Sequence, residues 1–385
     1  MKNSIVLFET ELSTINLFSH QMQKSFEKMG YSIFLFELSD SVKSMGKLYE
    51  YMQTHSIVAM IGFNSRMFGA KTSSGINIWE TLGVPCINIL VDHPYWYHDI
   101  LKDMPGNSAV LCVDMNHMNY VSQHYSQIPV VGFLPHGGTQ LAGNRKNFAR
   151  RTIDVLYVGS LYAPQNIDLS KQRWGFDAEK LVARCIEHLK THPTETVEDT
   201  LLQYCQQAAE SWTDFIPLAV YVERSVSFYF REKLLSTVAK SGLKIQIYGA
   251  GYENCDWISL PNVSWGGMIS PENVLEKIAS SKILLNSMPW FKNGSHERVF
   301  NGMLNGAVVV TEQNPYFEDT LPEGTWVKYS LEEDSFFRMC REVGELLDDE
   351  EGWNQITSKA YDFASKSQTW EHRAEEIVQE LLGAF

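Results

Sequence analysis

The first 140 residues alternate short apolar segments with segments whose apolar residues recur at helical spacing. The apolar segments are SIVLFE, YSIFLFEL, SIVAMIGFN, VPCINILVD, AVLCVD and VVGFLP. Helical spacing separates the early ones, as in INLFSHQMQKSFEKMG and KLYEYMQTH. Continuous apolar strands between helices indicate a parallel sheet that is covered on both faces.

The pattern changes near residue 140, where GGTQLAGNRKNFARRT has the glycines and basic residues of a linker. IDVLYVGS then restarts the strand pattern, a helix-rich insert follows over about 166–239, and KIQIYGA resumes the sheet. We therefore predict an α/β protein with two Rossmann-like domains. The N-terminal domain covers 1–145 and the C-terminal domain covers 150–370. A last helix, 371–385, is expected to pack back on the N-terminal domain.

The composition agrees with a two-domain protein, and the net charge disfavours some classes of partner. A chain of 385 residues suits two domains. A formal net charge of −14 disfavours nucleic acid and anionic lipid as partners. The six cysteines are scattered without a CxxC pair, as reduced thiols of a cytoplasmic protein are. We expect no secretory leader before the first strand, Ser4 to Phe8, and no apolar run approaches the ~20 residues of a transmembrane helix.

The last third of the chain contains a candidate phosphate site. The strand Ile283 to Asn286 leads to Asn293-Gly294-Ser295, where a helix is expected to begin. The amides at a helix N-terminus bind anions, but contribute only about 0.3–1 kcal/mol per charge. A charge-assisted hydrogen bond adds about 1.5–3 kcal/mol. We therefore predict that Arg298 assists the amides of 294–297 in holding a diphosphate.

Five segments of the C-terminal half carry a family resemblance: DVLYVGS, IQIYGAG, NVSWGG, ERVFNGMLNGAVVVTE and QTWEHRAEEIV. In this order they resemble the CgeB-like and group 1 glycosyltransferases. The resemblance implies the GT-B fold, in which two Rossmann-like domains face a cleft. It also implies transfer of a sugar from a nucleoside diphosphate sugar to a hydroxyl of a protein or glycan, with no cofactor or metal, and with retention of configuration.

Donor-binding residues follow from the same match. They are Gly159, Ser160, Gly249, Gly267, Met268, Asn293, Gly294, Ser295, His296, Glu297, Arg298 and Asn301. Related retaining enzymes have two glutamates eight residues apart, one near the donor sugar and one on the ribose. Asn293 and Asn301 stand there in this chain, and an amide can bond to hydroxyls but supplies no negative charge.

Acceptor-side chemistry is predicted at the ends of two N-terminal strands. Asp92 and His93 follow the strand INILV, and either could act as general base towards a hydroxyl. The alternative is an aromatic loop packed on the core. His136 follows the strand VVGFLP, where a sugar contact and a plain hinge are equally consistent with the sequence.

Three other functions remain open, one of them a scaffold for cell-surface or spore assembly. The asparagines at 293 and 301 are consistent with a catalytically silent GT-B binding module that partners an active transferase. Partners besides the substrates could thus be a transferase or a second copy in a homodimer. A sugar-nucleotide epimerase or a dehydrogenase could use similar domains, but the first strand is not followed by the G-x-G-x-x-G of a dehydrogenase.

Overall fold

The computed structural model describes residues 1–143, 145–208 and 212–382, with 204–208 described by their backbone alone. Its contacts divide the chain into two compact units. Unit 1 consists of residues 1–139, 294–300 and 364–385, and unit 2 consists of 140–293 and 301–363. The short segment 294–300, which includes the predicted phosphate loop 293–298 except Asn293, therefore packs with unit 1.

Residues 1–139 form one parallel α/β layer structure. Its strands and helices are Lys2–Glu9 (β1), Ser13–Lys28 (α1), Ser32–Glu37 (β2), Ser41–Tyr51 (α2), His55–Phe63 (β3), Ile78–Leu82 (α3), Cys86–Leu90 (β4), His98–Leu101 (α4), Ser108–Cys112 (β5), Met115–His124 (α5) and Val130–Phe133 (β6). The six strands are all parallel, in the order β2-β1-β3-β4-β5-β6. The strands predicted from the apolar segments are confirmed.

The remainder of the chain contributes a second parallel sheet and a last helix that packs in unit 1. Its elements are Ile153–Val158 (β7), Lys171–Trp174 (α6), Ala178–Thr191 (α7), Val197–Ala208 (α8), Trp212–Lys240 (α9), Ile245–Tyr248 (β8), Val263–Trp265 (β9), Pro271–Ala279 (α10), Ser281–Leu285 (β10), Glu297–Leu304 (α11), Val308–Glu312 (β11), Pro315–Thr320 (α12), Val327–Tyr329 (β12), Glu333–Asp348 (α13), Glu350–Ser367 (α14) and Trp370–Glu380 (α15). The strand order is β12-β11-β10-β7-β8-β9, again all parallel. Two Rossmann-like sheets are thus present.

Helix α15 belongs to the core of unit 1 although it ends the chain. Its residues Trp370, Ala374 and Ile377 are buried in the same cluster as Ile15 and Phe18 of α1. The ring centroids of Phe18 and Trp370 are 4.5 Å apart. This packing explains why the last helix is amphipathic: its apolar face completes the layer on the sheet. The last three residues of the predicted helix lie outside the described part of the chain.

Backbone contact holds α15 at its first turn. The Gly138 amide donates to the Gln368 carbonyl at 2.8 Å, and the Trp370 amide donates to the Gly138 carbonyl at 3.4 Å. A Cβ on Gly137 would lie 2.5 Å from the backbone nitrogen of Trp370. Only a glycine therefore fits this close approach.

Two further expectations concern the whole chain. Cys86, Cys112, Cys185, Cys255 and Cys340 are free thiols, and the side chain of Cys205 lies outside the described residues. Within the described ranges, no helix combines the length and the apolar character needed to cross a membrane.

We predict that Gly137→Ala destabilises the protein by about 1–3 kcal/mol, because the added methyl forces the Trp370 backbone away. Gly46→Ala is the matched control, since its Cβ would meet nothing within 4 Å in α2. That change should stabilise the helix by about 0.5–1 kcal/mol. Chemical denaturation measures both, and equal stability of the two variants would contradict the close approach.

Candidate active site

Asp92 stands just beyond β4 in unit 1 and is held by two side chains. Its Oδ2 accepts hydrogen bonds from Asn64 Nδ2 and from the Tyr97 hydroxyl, each at 2.9 Å. No hydrogen bond to Oδ1 is present among the described residues, and Asp92 is exposed to solvent. One oxygen is therefore fixed while the other can accept a hydrogen bond from a ligand.

Asn64 positions this carboxylate from the neighbouring strand. It follows β3 directly, with φ of +54°, in the left-handed region that asparagine tolerates better than most residues. Its Oδ1 accepts from the Val91 amide at 2.9 Å, so one side chain connects the ends of β3 and β4. Sequence reasoning missed Asn64, although a polar residue after a buried strand was a usable signal.

His136 follows β6 and is bound to the predicted phosphate loop. Only 2% of its surface is exposed, and its Nδ1 lies 2.7 Å from the Ser295 carbonyl oxygen. Because a carbonyl can only accept, Nδ1 carries the proton in this bond. Burial lowers the pKa of His136 to about 4, although Glu297 opposes the shift. The imidazole is therefore neutral near pH 7.

His296 and Glu297 lie at the start of α11, next to His136. The rings of His136 and His296 stack with centroids 5.5 Å apart. His296 Nδ1 is paired with the Glu297 carboxylate. Burial raises the pKa of Glu297, but His296, His136 and Arg298 outweigh it and bring the pKa to about 2. Glu297 is thus a carboxylate throughout the physiological range.

The pKa of Asp92 shifts upward, in the direction opposite to that of Glu297. Desolvation raises its pKa, and Tyr97, His136 and Asn64 lower it less strongly. Surrounding protein atoms cause this desolvation, but solvent reaches the exposed side chain, so the carboxyl is only partly removed from water. Asp92 and Glu297 lie close enough for the charge of Glu297 to raise the pKa of Asp92.

The structure places His93 differently from Asp92. The ring is 4% exposed, stacks on Tyr95 with centroids 3.6 Å apart, and accepts the Tyr95 amide at Nδ1. Burial lowers its pKa well below the ordinary value. A general base must reach the substrate. The geometry therefore favours a structural role for His93, capping the short 3₁₀ helix Pro94–Tyr97.

The loop before α11 is attached to unit 1 through its backbone. A Cβ on Gly294 would lie 2.4 Å from the Val113 carbonyl oxygen, and the Ser295 amide donates to that oxygen at 3.4 Å. Ser295 is fully buried, and its hydroxyl has no hydrogen-bond partner in the described chain. The Ser295 amide is therefore engaged within the protein, so one of the four amides predicted to hold a diphosphate has a protein acceptor, and the cradle as a whole stays a prediction.

Three other residues predicted to bind the donor, Asn293, Arg298 and Asn301, are less exposed to solvent than a binding role leads one to expect. Arg298 is 7% exposed and acts on Glu297 electrostatically. Asn293 is half-buried and ends the unit 2 segment. Asn301 lies inside α11 in unit 2, is buried, and its carbonyl accepts both the amide and the side-chain amide of Asn305. Because Asn301 is buried, a sugar has little access to its side chain.

Unit 2 gathers five predicted donor residues at the carboxyl ends of its strands. They are Gly159, Ser160, Gly249, Gly267 and Met268. A Cβ on Gly249 would lie 2.2 Å from the Gly159 carbonyl oxygen, and the Gly249 amide donates to the Gly267 carbonyl at 2.9 Å. The Ser160 hydroxyl accepts the Ala250 amide and lies 3.8 Å from the Met268 sulfur. Met268 is 67% exposed. We call these five residues the glycine cluster. Its glycines allow a ligand to approach the backbone closely, and the Met268 thioether is exposed to a ligand.

Arg231 of α9 is a cation beside the glycine cluster. Its Nη1 donates to the Ser160 carbonyl at 2.9 Å, and its guanidinium lies 4.3 Å from the centroid of the Trp290 ring. Its Nε is buried without a hydrogen-bond partner in the part of the chain described. The sequence indicated an ordinary packed helix here, because only folding brings residues 160, 231 and 290 together.

Glu312, at the end of β11, fixes the segment that leaves β10. Its Oε1 accepts from the Met288 amide at 2.7 Å and from the Ser287 hydroxyl at 3.2 Å. Burial raises its pKa, and these hydrogen bonds oppose the rise. Among the residues that the structure describes, no group of three or more His, Cys, Asp or Glu could hold a metal ion.

Comparison with known proteins identifies the fold. A glycosyl transferase-like family model matches residues 228–379, and no curated protein matches the sequence. An alpha-glucosyltransferase in complex with UDP and a 13-mer DNA containing a HMU base is similar, with 13% identity over 98% of both chains and a TM-score of 0.59. A sucrose-phosphate synthase from Thermosynechococcus elongatus shares 11% identity over 100% of both chains, with a TM-score of 0.57.

A glycosyltransferase from Rickettsia africae is also similar, at 8% identity over 98% of this chain and 97% of the other, with a TM-score of 0.53. At such low identity these likenesses establish the fold only. Two six-stranded parallel sheets that match these structures confirm the predicted GT-B fold.

We predict that acid destabilises the protein through its buried histidines. In the unfolded chain an imidazole takes up a proton below about pH 6.5, whereas folded His136 does so only near pH 4. The unfolded state therefore binds more protons in this window, and the free energy of unfolding falls as pH drops. The loss should be on the order of 1–2 kcal/mol for each such histidine by about pH 5.

His136→Gln should flatten this dependence, because the amide can donate to the Ser295 carbonyl without titrating in this range. His192→Gln is the control for loss of an exposed imidazole. Urea denaturation at a series of pH values measures the slope, and an unaltered slope in His136→Gln would rule out the buried neutral imidazole.

Proposed function

We propose, from the membership of residues 228–379 in the glycosyl transferase-like family, that this glycosyltransferase moves a sugar from a nucleoside diphosphate sugar to an acceptor hydroxyl. The family match is the observation that carries the proposal. The GT-B fold of the whole chain agrees with it.

The nucleotide is assigned to the glycine cluster of unit 2. Gly267, with φ of +68°, turns the chain so that backbone atoms near Met268 can bond to the edge of a base. The exposed Met268 thioether offers an apolar contact. Arg231 supplies a half-buried guanidinium, fixed by its hydrogen bond to the Ser160 carbonyl, whose positive charge can attract a phosphate oxygen. Stabilising the charge that develops on the departing diphosphate is the main catalytic task of such a site.

Asp92 is assigned to the acceptor. Its Oδ1 can accept the hydrogen bond of an acceptor hydroxyl while Asn64 and Tyr97 fix the other oxygen. A raised pKa favours proton uptake by this carboxyl. We propose retention of configuration, as the resemblance implies, with Asp92 orienting the hydroxyl. If the products show inversion, Asp92 is the general base, and analysis of the product anomer decides between the two.

The acceptor is proposed to be a protein or a glycan, and the reaction is proposed to need no metal. The net charge of −14 disfavours a nucleic acid acceptor. One structurally similar protein is nevertheless bound to DNA. Transfer assays should therefore include glycan, protein and single-stranded and duplex DNA acceptors, each with and without EDTA.

The second candidate is a binding subunit without turnover. Asn293 and Asn301 favour it, since they stand where related enzymes have glutamates. Binding of a sugar nucleotide without transfer to any acceptor and without donor hydrolysis would support this candidate over the enzyme.

We predict that UDP-, GDP-, dTDP- and CMP-sugars raise the melting temperature by different amounts in a thermal-shift assay, with the preferred donor giving the largest rise. A ligand at 100 times its Kd adds about 2.7 kcal/mol of stability. Arg231→Ala should weaken binding of the preferred donor about tenfold or more, the weight of one charge-assisted hydrogen bond. Arg338→Ala is the matched control, because Arg338 is exposed on α13.

Arg298→Ala completes this series. Loss of donor binding in a folded variant places Arg298 at the phosphates, as the sequence predicts. Unchanged binding removes Arg298 from the donor site, and unchanged binding in Arg231→Ala refutes the assignment of Arg231.

We predict that Asp92→Asn lowers turnover while donor binding is kept, because the amide preserves the shape but offers the acceptor hydroxyl no charged oxygen. If the products show inversion and Asp92 is the base, the loss should reach about 10²–10⁴-fold, since an amide accepts no proton. Asp99→Asn is the matched control, since Asp99 is exposed nearby on α4 and bonds to Lys102. Initial rates at saturating donor measure the effect. Equal rates in Asp92→Asn and wild type would contradict a role for Asp92.

A further inference from the structure

A cavity of about 980 Å³ opens on unit 2 beside the segment 145–151. Arg145, Lys146 and Arg151 line one part of it, and Glu350 and Glu351 of α14 line another. Gly306, just before β11, also lines the cavity, which therefore lies at the amino ends of the strands. The glycine cluster lies at their carboxyl ends, so the two places are distinct.

Arg151 is a buried cation in the wall of this cavity. It is 4% exposed and donates to the carbonyls of Lys146, Ile278, Ser281 and Asn305. These acceptors are neutral, and Arg151 has no ion pair in the described part of the chain. Burial and the neighbouring Arg145 lower the pKa of Arg151 to about 10. The two guanidinium groups are thus close enough to repel each other.

Arg145 and Lys146 add charge at the mouth of the cavity. The Arg145 guanidinium lies 3.8 Å from the centroid of the Tyr361 ring, and Lys146 Nζ donates to the Ser280 hydroxyl at 2.6 Å. Neither forms an ion pair with any described residue. Glu350 and Glu351 line the same cavity without pairing with either cation. Three positive charges therefore line one cavity together with two carboxylates that form no ion pair with them among the described residues.

Gly306 lets the two arginines approach the backbone. Its φ is +73°, and a Cβ there would lie 2.7 Å from Arg151 Nη2 and 3.3 Å from Arg145 Cδ. The aromatic ring below Arg145 and the carbonyls around Arg151 hold both groups in place. A preorganised guanidinium group binds an oxyanion without first losing side-chain freedom, and Arg145 offers such a group. Arg151, whose nitrogens already donate to carbonyls, adds positive charge beside it.

We propose that this cavity binds the phosphate group of a small hydroxyl-bearing molecule of the sugar phosphate class. The cationic wall takes the phosphate, since guanidinium groups match its geometry. Glu350, Glu351, Asn354 and Gln355 provide acceptors and amide donors for hydroxyls. The two carboxylates repel a second anionic group, so the site disfavours polyanions. The volume suits a small molecule. This proposal stands on unit 2 alone and does not depend on the proposed function.

Isothermal titration calorimetry with glucose 6-phosphate, inorganic phosphate and glucose tests this proposal. Wild type should bind glucose 6-phosphate more tightly than inorganic phosphate, and glucose not measurably. Arg145→Ala should weaken the binding of glucose 6-phosphate about 10-fold or more. Arg150→Ala is the matched control, because Arg150 is an exposed neighbour that does not line the cavity. Circular dichroism verifies that each variant is folded.

Three results would overturn the proposal. Equal affinity of wild type and Arg145→Ala removes the site from this cavity. Equal affinity for phosphate and glucose 6-phosphate refutes the recognition of hydroxyls. Binding that is lost in Arg231→Ala but kept in Arg145→Ala assigns the ligand to the glycine cluster and leaves the cavity without a function of this kind.

Discussion

The hydrogen bond from His136 Nδ1 to the Ser295 carbonyl determines where the start of α11 lies. Without it, a buried carbonyl would lose its partner at a cost of about 1–3 kcal/mol. Gly294 allows this bond to form, because a residue without a Cβ lets the backbone at 294 approach the Val113 carbonyl oxygen. Through this attachment His296 and Glu297 are positioned by unit 1 and not by the strand β10 that precedes them in sequence.

This placement gives two carboxyl groups of unit 1 opposite properties. Glu297 is surrounded by His296, His136 and Arg298, and these partners overcome burial and keep it ionised. Asp92 has hydrogen-bond donors on one oxygen only, and desolvation outweighs them. Carboxyl groups whose environments separate their pKa values are suited to different tasks. A constant negative charge and a proton-accepting group thus lie close together in one unit.

Much of this arrangement could be predicted from the sequence, because local pattern decides it. Apolar strands between helices predict both parallel sheets, and polar residues after buried strands predict Asp92 at a sheet edge. The attachment of Ser295 could not be predicted, since its partners Val113 and His136 are more than 150 residues away. A glycine turn before a helix looks the same whether its amides face a phosphate or a distant carbonyl. The burial of His93 could not be predicted either. Its position next to Asp92 in the sequence does not indicate that its ring packs against Tyr95.

The engaged Ser295 amide bears on the proposal that a diphosphate is held in unit 2. Because the Ser295 amide already donates to Val113, the start of α11 has one donor fewer to offer an anion. Helix-dipole attraction alone is weak, so side-chain cations must carry most of the binding. The Arg231 guanidinium is half-buried and is fixed to the Ser160 carbonyl through Nη1. A lysine at this position would have one point charge and no planar fork with which to serve both the Ser160 carbonyl and a phosphate oxygen. The residue type at 231 is therefore constrained by geometry as well as by charge.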